Sequence, residues 1–190
     1  MKTKLFFISV LCIATVLIIS CKSTKKLEKV NKSTELKLPL SGKEYQTNKN
    51  YFRAIQSGKS PDLSTAKKIA LQNAKAEMSG NIQSTIKRVT DQYTNQRSVN
   101  NAQEFENKFE ELSREVVNQE LYDVKIIDDK IFKEKDNTYT YWIAIETSKE
   151  NILNGINTSI SKDKQIQIDF DKYQFEKIFN EEMEKFKVGQ

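Results

Sequence analysis

Apolar residues follow three rhythms along this chain: one unbroken block at the start, alternation by twos in short stretches, and steps of three and four in longer ones. Tyr51 to Gly58 predicts a first strand ending in a glycine turn. Ser60-Pro61-Asp62 then announces a helix, with Ser60 as cap, Pro61 at the first helical position and Asp62 at the positive end. Ala66, Ile69, Ala70, Ala74, Met78, Ile82, Ile86, Val89 and Tyr93 follow at helical spacing. They predict one long amphipathic helix whose first half buries mostly alanine, suited to lying close on a sheet. Gly80 in its middle predicts a bend or a close backbone approach.

After a polar stretch, Ala102, Phe105, Phe109, Leu112 and Val116 predict a second amphipathic helix. Tyr122, Val124 and Ile126 alternate, and Ile127 and Ile131 change parity, which predicts a strand with a bulge near Ile126-Ile127. Lys135-Asp136-Asn137 is the turn into a return strand, Tyr139 to Ile145. Its apolar groups lie on both faces, so it is placed at the centre of the sheet. Thr147 and Glu150 have capping-box spacing and open a short helix through Ile156. Ile166 and Ile168 read as a short strand, and Asp171 starts a last helix bearing Phe175, Ile178, Phe179, Met183 and Phe186. The expected class is α+β, a small antiparallel sheet packed against a long amphipathic helix and further helices.

The unbroken block changes the picture most. Lysines at positions 2 and 4 precede Leu5 to Ile19, an apolar run shorter than the roughly 20 residues that cross a bilayer. That is the layout of a secretory signal peptide. It ends Ile18-Ile19-Ser20-Cys21, which resembles a lipobox, where the cysteine is freed by cleavage and acylated. Acyl chains supply membrane affinity of about 0.8 kcal/mol per buried CH₂. The alternative is an uncleaved N-terminal anchor helix in which Cys21 has no role. A charged stretch directly after Cys21 favours lipidation. The expected division is therefore 1–20 as signal peptide, 21–49 as a lipidated, flexible basic tether, and 50–190 as a single domain.

Charge follows the same division. Residues 22–49 hold eight lysines against Glu28, Glu35 and Glu44, whereas residues 50–190 hold 21 basic and 23 acidic residues. Basicity belongs to the tether, where the lysines either meet anionic head groups or simply solvate a linker. The domain shows no basic, aromatic-bearing patch of the kind that binds nucleic acid. Pro39 and Gly42 fit a loop, although Leu36, Leu38 and Leu40 alternate as in a short strand. Histidine is absent, which excludes Ser-His-Asp and Cys-His catalysis as usually built and removes the commonest zinc ligand. Cys12 lies in the signal segment, so no cysteine is left for a disulfide after cleavage.

Tyr51-Phe52-Arg53-Ala54, then Gly58, Ser60 and Asp62, then Ala66, Ala70 and Ala74 on a helix running to Ile82 and Val89, together resemble the LPP-twenty (Helicobacter-type) bacterial lipoprotein family. The Tyr139 to Ile145 strand also fits, so the resemblance spans roughly residues 51–147. The family is similar in its core to the N-terminal domain of the flagellar assembly protein T. The resemblance implies an envelope-associated structural or assembly role and carries no catalytic residues.

Other candidate chemistry is thin. Asp123, Asp128 and Asp129 are oxygen ligands of the sort Ca²⁺ takes, but no glycine-bearing loop accompanies them, and charges guarding an edge strand explain them as well. Tyr139, Tyr141 and Trp142 read as cross-strand packing before a carbohydrate or peptide platform. The stripe of Phe175, Phe179 and Phe186 reads as core before a docking face, and Glu181, Glu182 and Glu184 as a solvated face. No glycine-rich phosphate loop occurs. The expectation is a non-enzymatic envelope lipoprotein without metal or cofactor, held by Cys21 at the periplasmic face of the outer membrane and working through an envelope protein partner. The alternative is a binding module for a small molecule or cell-wall fragment in a helix–sheet crevice. No nucleic acid is expected as partner.

Overall fold

The computed structural model describes residues 35–97, 102–122 and 124–186. Ile18, Ile19, Ser20, Cys21 and Asp123 lie outside the described residues. So does almost all of residues 1–36, and the compact unit described below is Lys37–Gln190. No helix among the described residues is long and apolar enough to cross a membrane.

The architecture is α+β. Three antiparallel strands, β1 (Tyr51–Ser60), β2 (Lys125–Lys133) and β3 (Tyr139–Ser148), stand in the order β1-β3-β2. Around them lie α1 (Leu63–Arg97), α2 (Ala102–Glu120), α3 (Lys149–Ile160), α4 (Lys164–Asp169) and α5 (Lys172–Glu184). β3 is central, as its two apolar faces require: Tyr141, Ile143, Ala144 and Ile145 are all buried. The ladder between β2 and β3 shifts register between Ile126 and Asp128, placing the bulge at Ile127. Asn137, at φ 59°, turns the hairpin in a left-handed conformation that asparagine tolerates.

α1 begins two residues later than the sequence reading has it. Asp62 is the cap, accepting the Thr65 amide at 2.8 Å, while Ser60 supports Asp62 from outside. The helix then runs antiparallel to β1. Gly58 meets the backbone of Ala66 and Ala70, Asn73 Nδ2 donates to Ser57 O, and Gln56 Nε2 to Glu77. Ala66, Ala70 and Ala74 are fully buried, so small side chains let helix and sheet nearly touch. Gly80 makes no close approach: a Cβ there would meet nothing.

Length explains the rest of the fold. Thirty-five helical residues span about 52 Å, against about 34 Å for a ten-residue strand. α1 therefore overhangs the sheet, and its second half needs other cover. α2, α4 and α5 supply it through an aromatic cluster. Phe109 lies with ring centroids 5.0 Å from Phe175 and 5.7 Å from Phe105, and Tyr93 lies 5.8 Å from Phe105. The Tyr93 hydroxyl donates to Asp169 O and accepts from Asp171 N, tying α1 to the α4–α5 junction. Gly155 lets α3 close on Val116 of α2.

Several expectations are corrected. Ile166 lies in the six-residue helix α4, capped by Asp163, and not in a strand. The cap of α3 is Ser148, whose hydroxyl accepts the Asn151 amide, while the Thr147 side chain is buried one residue earlier. Leu36, Leu38 and Leu40 form no strand: Leu36 and Leu38 are exposed, while Leu40, at φ 56°, is buried. Most consequentially, the flexible tether does not extend to residue 49. Lys37 to Lys49 form a strap on the sheet face opposite α1. There Tyr45, ending a short 3₁₀ turn (Lys43–Tyr45), donates its hydroxyl to Asp128. Thr47 Oγ1 bonds both N and O of Arg53, and Arg53 Nη1 donates to Gln46 O. Ala144 on that face is buried, although it stands outside the main core cluster.

Candidate functional site

The carboxylates of β2 do not converge. Asp128 is opposite Ala144 and takes the Tyr45 hydroxyl on the strap face; Asp129 is opposite Ile143 and takes the Tyr141 hydroxyl on the helix face. Consecutive strand residues point to opposite sides, so these two cannot share one cation. Among the described residues no three His, Cys, Asp or Glu side chains gather in metal-binding range. Hydrogen bonds from Tyr45 and from its neighbour's amide hold the Asp128 carboxyl below its ordinary pKa.

Nor do the aromatics of β3 form a platform. Tyr141 is buried on the helix side, with Lys67 Nζ 5.7 Å from its ring centroid, whereas Trp142 lies on the opposite face. Burial, and then the Asp129 carboxylate, push the Tyr141 phenol up to about 12. Phe175 and Phe179 are fully buried core, and Phe186 packs against them partly buried. Glu182 is not part of a solvated face. It is 6 % exposed and held by Arg88 and Lys185.

One charged group was not singled out in the sequence. Glu146, on the strap face of β3, is buried and receives Arg53 Nε and Nη2 at 3.0 Å from β1 and Lys125 Nζ at 3.1 Å from β2. A lone carboxylate at the end of a buried apolar strand, with Arg53 at matching parity in β1, is the signal that would have found it. The pairing crosses all three strands. Three donors from both neighbouring strands converge on it, so it fastens the sheet. The concave surface beside it, about 440 Å³, is lined by Tyr51, Gln119, Ser148 and Asn151 together with Glu120 and Lys125.

A deeper groove of about 340 Å³ lies between α1 and α2. Ile86 and Phe109 floor it, Gly80 opens one end, and Lys87, Asp91, Glu106 and Arg114 line it. This groove is between helices. The helix–sheet seam that the sequence reading names as the crevice is closed by the alanine ladder and Gly58.

The most exposed ordered element is β2. It is an edge strand, and Ile126, Ile131 and Phe132 are 43 %, 51 % and 43 % exposed. α1 packs chiefly over β1 and β3, which leaves the helix side of β2 uncovered. The other edge differs: Thr47 occupies the outward N and O of Arg53, Asn73 occupies Ser57 O, and Asn48 N bonds Tyr51 O. One edge of the sheet is partly occupied by the chain itself and the other is open. An open edge offers a row of backbone donors and acceptors, and with exposed apolar side chains it is a template for adding a strand.

Comparison with known proteins adds no relative: no family model, curated protein or solved structure matches this chain.

Proposed function

We propose that this chain is a lipid-anchored bacterial envelope protein, attached through Cys21 and acting by protein contact along β2. The open, partly apolar edge carries the contact half of this reading, because its outward backbone groups and the exposed Ile126, Ile131 and Phe132 offer a template for a further strand. The lipobox-like Ile18-Ile19-Ser20-Cys21 supports the anchor, and the LPP-twenty resemblance of residues 51–147 supports a structural or assembly role. Lys22 follows the cysteine, and no acidic retention or export tag does. On that ground the periplasmic face of the outer membrane is the assigned location.

Mass spectrometry of the protein purified from its native membranes tests the anchor. The expected mass is residues 21–190 plus acyl chains, lost in Cys21→Ser; an intact residue 1–20 segment without lipid overturns it. Photocrosslinking from Phe132 in the same membranes tests the contact, and an absence of any adduct counts against it.

The groove between α1 and α2 favours a second reading, a binding module for a small polar molecule, since its volume is in the range of ligand pockets. Thermal stabilisation by a cell-wall fragment, abolished by Ser113→Trp at the groove, distinguishes the two.

A further inference from the structure

The open edge specifies its own partner. Thr47 bonds N and O of Arg53, so the odd-numbered backbone groups of β1 point away from β3. In an antiparallel ladder directions alternate, which turns the even-numbered groups of β3 toward β2. The bond from Glu134 N to Thr138 O at the hairpin end agrees. Asp129, Ile131 and Lys133 of β2 therefore face their N–H and C=O outward.

A second copy related by a two-fold axis normal to the sheet would pair β2 with itself antiparallel. The outward groups allow a register centred on any residue from Asp129 to Lys133, because odd residues stay opposite odd ones in each. Centring on Lys130 sets two ammonium groups together, and centring on Phe132 draws Lys135 of the turn opposite Asp129 and leaves about four ladder bonds. The registers centred at the two ends fail as well. The first sets two carboxylates face to face and draws the bulge at Ile127 into the ladder. The last sets two ammonium groups together and runs into the Glu134–Asn137 turn. Like charges directly opposite destabilise a strand pair and opposite charges stabilise it. Centring on Ile131 sets opposite charges together on the helix side; on the strap face Asp128 falls opposite Glu134, and each is already held in its own chain, by Tyr45 and by Thr140. Ile131 meets itself, and Asp129 of each copy faces Lys133 of the other on the helix side. On the strap face Lys130 falls opposite the ring of Phe132.

We propose that two copies of this chain join through β2 in the register centred on Ile131, merging two three-stranded sheets into one of six. The proposal rests on the reading of β2 as a contact edge and names the occupant. About six backbone hydrogen bonds close the ladder, two of them replacing the bond that the Asp129 amide makes to Asp128, and the side chains of Ile131 and Phe132, half-exposed in one copy, are covered.

Sedimentation velocity on the full chain in detergent tests it, beside Asp129→Lys, Lys133→Asp and the double exchange. The parent is expected to dimerise, each single reversal to weaken the dimer about tenfold or more, and the double exchange to restore it. Because Asp129 also holds Tyr141, a second arm uses Ile131→Cys. Paired residues of this kind have Cα atoms about 5.5 Å apart, within disulfide range. Oxidation should give a 131–131 linkage by mass spectrometry, while Lys133→Cys should give no 133–133 linkage. A monomer up to about 100 µM, a dimer indifferent to both reversals, or a linkage elsewhere overturns the proposal. If the chain stays monomeric yet Phe132 crosslinks to a different protein in membranes, the second copy is wrong and the contact edge stands. If neither occurs, both fall.

Discussion

Arg88 Nε on α1 stands 2.5 Å from Glu182 Oε1 on α5, across 94 residues of sequence. Glu182 is buried while the Arg88 side chain is half exposed, so the arginine reaches in from the surface to a carboxylate that water hardly touches. A buried acceptor deprived of its donor costs more than the bond itself contributes. Arg88→Met should therefore lower stability by about 1–2 kcal/mol, the lower part of the usual range, because Lys185 still serves Glu182. Urea unfolding measures it, and Arg88→Lys should recover part of the loss.

Acid should act through the same carboxylate. Burial raises the Glu182 pKa, but hydrogen bonds from Lys185 and Arg88 outweigh it and hold the group below its ordinary value. Asp62, the cap of α1, is held at about 2 by Ser64 and Thr65. For both, the folded pKa lies below the unfolded one, so their stabilisation is complete above the unfolded value and fades as pH falls through the folded one. The urea midpoint should thus decline between pH 4.5 and about pH 2. Glu182→Gln should flatten the upper part of that decline.

Two glycines of α1 and its neighbour strand should respond to alanine with opposite signs. A Cβ on Gly58 would stand 2.3 Å from Ala66 O and 2.5 Å from Ala70 N, both backbone atoms that cannot swing aside. Gly58→Ala should cost about 3 kcal/mol. At Gly80 an added methyl meets nothing on an exposed helical site, so Gly80→Ala should stabilise by about 0.5–1 kcal/mol. Thermal melts of the two variants settle both.

The strap should loosen without the domain unfolding. Tyr45→Phe removes the hydroxyl that Asp128 accepts, and no other side chain of the short 3₁₀ turn is buried. Limited proteolysis at Lys43 and Lys49 should quicken several-fold. The melting temperature should shift by less than about 4 °C. A melting temperature that drops further would mean the strap belongs to the cooperative core.

Phe109 should be the most sensitive core position of the helical half. It is fully buried and packs against Phe105 of its own helix, Phe170 at the α4–α5 junction and Phe175 of α5. Phe109→Ala should cost about 3–5 kcal/mol in chemical denaturation.

How far the chain itself announces this fold depends on how many periods each element shows. The alanine rhythm of α1, the apolar faces of β3 and the parity change at Ile127 are repeated signals, and each reappears in the structure. α4 shows too few turns for a helical period, so Ile166 and Ile168 mimic a strand. Caps slip by one or two residues: Ser60 and Thr147 carry the right oxygen, but Asp62 and Ser148 are the residues whose oxygens reach the first-turn amides. The strap depends on one left-handed Leu40 and on Tyr45 finding a partner 83 residues away, which no local pattern encodes. Glu146 and Glu182 were missed for the same reason: their partners lie on other elements.

The order β1-β3-β2 has a consequence in time. Tyr51 pairs with Ser148, and between them lie α1, α2 and all of β2. Closing so long a loop adds little free energy, because that penalty grows only with the logarithm of length. It does slow the search, as distant pairings do. The β2–β3 hairpin joins across a tight turn and is expected to form before β1 pairs with the free edge of β3. During that interval the young sheet has two open edges in place of one, and crowding by other emerging copies is then most dangerous. The strap that later seals β1 is the earliest part of the compact unit to be made and among the last to find its seat.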